Sequence, residues 1–90
     1  MKKSTLEITE IENGKPVIEI KKGYTSTAKT IDGVEIELFV YKEDNKLWSV
    51  VESVSKTFVH LDPTRNNAIL GATITVESIS YNDLIEGNFK

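Results

Sequence analysis

The sequence predicts an α+β domain in which an antiparallel, meander-like sheet is packed on one face by a C-terminal helix. Apolar residues alternate along several short segments, which is typical of strands. The segments are separated by sequences that favour hairpin turns: Asn13-Gly14, Asp32-Gly33 and the polar run 42–46. After Asp62-Pro63 the apolar residues recur every three to four positions, which indicates a helix. We therefore expect strands at about residues 5–61 and a helical segment at about 64–86.

The N-terminal part of the chain predicts two hairpins. Asn13-Gly14 lies between two alternating segments and suits a turn that needs positive φ at both central positions. Pro16 cannot donate a ladder hydrogen bond, so the second strand is expected near a sheet edge. Gly23 is expected to end that strand, and the threonine-rich segment 24–31 to begin a new one that turns at Asp32-Gly33.

The clearest alternation, over residues 34–41, predicts a strand whose partner runs from 47 to 54. A connecting loop of two or four residues would pair Lys42 with Leu47. The same register places aromatic and acidic residues on one side of the sheet, in three opposed pairs: Tyr41 with Trp48, Phe39 with Val50, and Glu37 with Glu52. The other side would carry Ile36, Leu38, Val40 and Val51, so both sides are partly apolar.

Residues 64–80 are open to two interpretations. Ala68, Ile69, Ala72, Val76 and Ile79 follow a helical spacing, whereas residues 72–76 also alternate and are β-branched, as in a strand. We favour the helix, because Asp62-Pro63-Thr64 suits a helix start. Residues 82–86 predict a further helical turn that ends at Gly87.

Composition narrows the classes of function. The 90 residues are 39% apolar and 28% charged, which predicts one folded domain over residues 1–90. There is no cysteine and a single histidine, His60, so we expect no metal site, no cofactor and no thiol chemistry. His60 and Asp62 do not form a catalytic triad with nearby serines, since no nucleophile elbow is present. The chain is predicted to be a cytoplasmic non-enzyme with no signal peptide and no membrane span.

The charge distribution raises a second class of function. The formal net charge is −3, yet lysines outnumber carboxylates in the first third of the chain. Lys21, Lys22 and Lys29 with Tyr24 would form a basic surface on which nucleic-acid bases stack. The acidic total and the single arginine, Arg65, argue against nucleic acid as the partner, so this function is kept as the alternative.

The preferred function is non-catalytic protein binding. One helix covers only one side of a sheet, so the other side would need a loop, a second copy of the chain or a protein partner. The predicted partner-binding residues are those of the aromatic and acidic side: Phe39, Tyr41, Trp48, Glu37 and Glu52. The plainer interpretation is that these aromatic rings belong to the core, beneath the helix or the first hairpin. A homodimer stays open, because a chain of this size buries limited area by itself.

A segment of the second half resembles a strand–strand–helix module. Leu47-Trp48-Ser49-Val50, a strand, and then the run from Thr64 to Ile69 resemble the pattern W-x-V followed by T-R-x-x-A-I, which is common in small proteins of phages and other mobile elements. The resemblance covers roughly the second half of the chain. It implies an accessory or inhibitor role through binding of a host protein, and no functional residue carries over.

Overall fold

The computed structural model describes residues 1–89 as a five-stranded antiparallel sheet followed by two helices. The sheet has the order β1-β2-β3-β4-β5, so each strand pairs with its neighbour in sequence. The elements are β1 (Lys2–Glu12), β2 (Lys15–Lys29), β3 (Glu35–Lys42), β4 (Trp48–Glu52), β5 (Phe58–Asp62), α1 (Arg65–Glu77) and α2 (Tyr81–Glu86). The predicted α+β class and the meander topology are confirmed.

The first hairpin forms at the predicted turn, where Asn13 and Gly14 have φ values of 52° and 76°. The prediction that the second strand ends at Gly23 is wrong, because β2 continues as one strand to Lys29. Gly23 instead permits a close approach between strands. A Cβ atom at this position would lie 2.1 Å from the carbonyl oxygen of Val40 and 3.0 Å from Cζ of Phe39.

The β1–β2 hairpin extends past the rest of the sheet, because β3 pairs only with Gly23–Lys29 of β2. We call the extending part, residues 5–22, the arm. Leu6 and Ile8 of the arm pack against a buried cluster of Phe39, Tyr41 and Val51. The arm therefore curls over one face of the sheet, here called the arm face, and the opposite face is the helix face.

Residues 65–77 form a helix, as favoured over the strand. Thr64 caps it, because its side-chain oxygen accepts a hydrogen bond from the backbone N–H of Asn67 at 3.3 Å. Ala68, Ala72 and Val76 are spaced by four residues and are fully buried, whereas Ile74 is 60% exposed. A strand would have placed Ile74 on the same side as Ala72 and Val76, so the helical period decides which apolar residues are buried.

The helix face carries the larger core. Leu38, Val40 and Val50 of the sheet pack against the buried face of α1 and against Leu84 of α2. Gly71 of α1 lies directly over His60 of β5, since a Cβ atom at Gly71 would be 2.3 Å from Nε2 of the imidazole. Within residues 1–89, none of the helices is long and apolar enough to cross a membrane.

Candidate functional site

The loop between β3 and β4 decides which aromatic residues share a face. The backbone N–H of Glu43 donates to the carbonyl of Leu47 at 2.7 Å, and that of Lys46 donates to Glu43 at 3.0 Å, with Lys46 at a φ of 69°. The loop from Lys42 to Trp48 therefore has an odd number of residues between them, and these two residues are paired. The predicted pairing of Lys42 with Leu47 is wrong, and every side chain of β4 faces opposite to the prediction.

As a result, the five predicted partner-binding residues do not form one surface. Phe39 and Tyr41 lie on the arm face, 1% and 7% exposed, with ring centroids 5.8 Å apart. Trp48 lies on the helix face, where it packs against the core. Glu37 is exposed opposite Thr27. The predicted opposition of Glu37 and Glu52 is wrong because Glu52 pairs with Leu38.

Glu52 has a structural partner inside the chain. Its buried carboxylate accepts hydrogen bonds from the backbone N–H groups of Val54 at 2.8 Å and Ser55 at 2.9 Å. The carboxylate therefore holds the turn between β4 and β5, and it does not face a partner.

Burial of the Tyr41 phenol predicts a measurable pH dependence of stability. Burial, with the Glu43 carboxylate adding to it, raises the pKa of Tyr41 from 10.0 to about 12. Below pH 10 the phenol is neutral in both the folded and unfolded states, so its contribution is complete there. Above pH 10 the unfolded state ionises first, and the free energy of unfolding should fall by about 1 kcal/mol as the pH approaches 12, the effect being reduced where the phenol meets solvent.

Denaturant titrations at several pH values check this expectation. Tyr41→Phe should remove the additional loss of stability at high pH, whereas Tyr81→Phe, at an exposed position, should behave like the wild type. Equal pH dependence in the wild type and Tyr41→Phe would show that the phenol is not buried.

An open groove lies on the helix face, where α1 leaves the sheet uncovered. It has a volume of about 670 Å³ and is built from three cross-strand pairs. These pairs are Lys3 with Tyr24, Thr5 with Lys22, and Lys42 with Trp48. Ser4 and Gly23 complete the lining. The groove thus combines three ammonium groups with two aromatic rings, and no carboxylate lines it within the described residues.

Two cations at or beside the groove, Lys42 and Arg65, lie over aromatic rings. The ammonium of Lys42 lies 6.0 Å from the ring centroid of Trp48, and the guanidinium of Arg65 lies 4.5 Å from that of Tyr24. Within residues 1–89, Lys3, Lys22, Lys42 and Arg65 have no carboxylate within 4.0 Å. A cation stacked on a ring keeps its full charge. In a chain of net charge −3, the groove is therefore a locally basic site.

The groove adjoins the N-terminus of α1 through Trp48. A second depression of about 580 Å³ is lined by Trp48 and by residues 63–67. The first turn of α1 carries no acidic residue, so its free N–H groups present partial positive charge. Asp62 lies opposite Trp48 and accepts a hydrogen bond from the backbone N–H of Thr64 at 3.1 Å.

The structure separates the residues of the predicted basic surface. Lys22 and Tyr24 both line the groove. Lys21 points to the arm face, where its ammonium lies 2.7 Å from Glu19 and 4.0 Å from Glu10. Lys29 lies opposite Glu35, away from the groove. Lys21 thus pairs with two members of a cluster of Glu10, Glu12 and Glu19, whose carboxylates lie within 4.8 Å of one another.

Lys3 and Lys42 were not among the site residues predicted from the sequence, and Trp48 was predicted on the other face of the sheet. The position of Lys3 could have been predicted, because the two-residue turn at Asn13-Gly14 fixes a register that places Lys3 opposite Tyr24. The shared face of Lys42 and Trp48 could not be predicted without knowing that the loop between β3 and β4 has an odd number of residues. The aliphatic hydroxyl groups of the groove, on Ser4 and Thr5, have no histidine or carboxylate base beside them among the described lining residues.

Fold and groove together define the class: a small α+β protein with a basic, aromatic groove on the uncovered part of its helix face. Comparisons with protein-family models, with curated proteins and with solved structures found no match to this chain.

Proposed function

We propose that the protein is a non-catalytic binding module that holds single-stranded nucleic acid in the groove. The observation that supports this proposal is the convergence of Lys3, Lys22 and Lys42 with Tyr24 and Trp48 in one open groove, with Arg65 beside it over the Tyr24 ring. Phosphates require cations, and unpaired bases require flat apolar surfaces. A groove that offers both fits single strands better than duplexes, whose bases are stacked internally.

The geometry favours contact with the phosphate backbone across several strands. Lys3, Lys22 and Lys42 belong to β1, β2 and β3, so the charges span the width of the groove. Arg65, at the first turn of α1, continues the basic surface toward the helix N-terminus. Three or four phosphate contacts predict a slope of about −2 to −3 for the logarithm of the binding constant against that of salt concentration.

Titration with single-stranded oligonucleotides of about 10 nucleotides tests the proposal. Trp48 is the single tryptophan of the chain, so its fluorescence reports directly on the groove. We expect Lys22→Ala and Lys42→Ala each to weaken binding by about fivefold at low salt and to reduce the salt slope by about 0.7, because each removes one phosphate contact.

The matched control is Lys56→Ala, which removes the same charge from the turn between β4 and β5 at the opposite end of β4. It should bind like the wild type. Duplexes of the same sequence should bind more weakly, and free mononucleotides should bind without salt dependence of this size. Absence of single-strand binding at low salt, or equal losses in Lys22→Ala and Lys56→Ala, would refute the proposal.

A protein partner is the second candidate, and a row of exposed isoleucines on one side of the arm favours it. Ile11, Ile18 and Ile20 are 70%, 63% and 68% exposed and lie on the same side of the arm. Such a patch suits the accessory or inhibitor role that the resemblance to small phage and mobile-element proteins implies. Direct binding of a purified partner that is lost in Ile18→Ser and Ile20→Ser, and retained in Lys22→Ala and Lys42→Ala, would support this candidate over nucleic acid.

A further inference from the structure

Strand β1 is a long free edge of the sheet. It pairs with β2 at each of its 11 residues without a register shift, and it is first in the strand order. Helix α1 packs on β2, β3, β4 and β5. A long, regular edge strand presents unpaired backbone groups that another strand can join.

The turn at Asn13-Gly14 determines which backbone groups face the free edge. In a two-residue hairpin the flanking residues, Glu12 and Lys15, exchange both backbone hydrogen bonds. Every second residue from Glu12 backward therefore bonds to β2. The intervening residues direct their N–H and C=O groups outward, and these are Lys3, Thr5, Glu7, Thr9 and Ile11.

The charges along β1 are complementary to a second, antiparallel copy of the same strand. The strand is basic at its start, with Lys2 and Lys3, and acidic later, at Glu7, Glu10 and Glu12. With Leu6 at the two-fold axis, Lys2 lies opposite Glu10 of the second copy, Ser4 opposite Ile8 and Thr5 opposite Glu7. An axis at Glu7 would oppose two like charges, and an axis at Ile8 would leave both lysines without an acidic partner.

We propose that two copies of the chain pair through their β1 edges with Leu6 at the axis, which joins the two sheets into one. The arm-face clusters of the two copies then meet at Leu6, which already packs against Phe39, Tyr41 and Val51. The interface is isologous, so each favourable pair occurs twice.

Sedimentation of the full chain tests the pairing. Thr9→Pro removes an outward N–H and leaves the ladder to β2 intact, so it should raise the dissociation constant of the dimer at least about tenfold while the circular dichroism spectrum stays unchanged. The control is Thr9→Ala, which keeps the backbone N–H and should remain dimeric. A wild-type monomer at about 1 mM, or a dimer that Thr9→Pro leaves intact, would overturn the proposal.

Disulfide cross-linking tests the register in a chain that has no cysteine of its own. Under oxidising conditions Leu6→Cys should form a covalent dimer, because opposed residues at a non-hydrogen-bonded position lie about 4.5 Å apart between Cα atoms. Ile8→Cys places the two thiols about 13 Å apart along the strands and should not cross-link. Cross-linking through position 8 and not through position 6 would overturn the proposed register.

Discussion

Gly23→Ala is expected to lower the free energy of unfolding by about 3 kcal/mol, a large part of the total stability of a domain of this size. The added Cβ would lie 2.1 Å from the carbonyl oxygen of Val40, which is backbone and cannot rotate away. Relief requires β2 to move off β3 where the arm leaves the sheet. Denaturant unfolding followed by Trp48 fluorescence measures the loss.

Gly14→Ala is the matched control for this substitution. Gly14 has no atom near the position of an added Cβ, but its φ of 76° is unfavourable for alanine. We expect a loss of about 1 kcal/mol from backbone strain alone. If Gly23→Ala were no more destabilising than Gly14→Ala, the close approach of β2 to β3 would be wrong.

Phe39→Ala is expected to cost about 3–5 kcal/mol, as is usual for a large aromatic residue lost from a core. The ring is 1% exposed and lies between the sheet and the arm, with Leu6 and Ile8 packed against its cluster. The loss of stability should first affect the arm, which packs against the ring. Hydrogen exchange should show that amide protection falls more in the arm than in α1.

Phe58→Ala provides the comparison, because Phe58 is 38% exposed on β5. A loss of about 1 kcal/mol is expected there. Should Phe39→Ala instead reduce protection in α1 and leave the arm unchanged, the assignment of the Phe39 ring to the arm face would fail.

The two faces of the sheet account for the main difference between sequence and structure. The sequence correctly indicated that both faces are apolar and that one helix covers only one of them. The preferred function assigned the second face to a partner, and the plainer interpretation left it to the helix or the first hairpin. In the structure the arm, which is part of the first hairpin, covers it. The arm reaches that face because β2 continues through Gly23 and does not end there. Glycine favours a strand end by propensity, but the proximity of the Val40 carbonyl is a tertiary constraint that propensity cannot report.

The groove shows the same limit at the level of single residues. Lys22 and Tyr24 were named from the sequence for their charge and aromatic ring, which are properties of the single residues. Trp48 was assigned to the wrong face because one extra loop residue inverts the orientation of an entire strand. The loop depends on Lys46 adopting a positive φ, which a non-glycine residue adopts infrequently.

The sequence by itself determined the α+β class, the Asn13-Gly14 hairpin, and the helix that Thr64 caps, since turn chemistry, alternation and capping act between residues close in the chain. Only the tertiary structure decided that Phe39 and Tyr41 are enclosed, that Glu52 holds a turn, and that four cations meet beside Tyr24 and Trp48. These outcomes depend on loop parity and on how closely separate strands approach one another. Both are set by packing between distant segments, which no local pattern encodes.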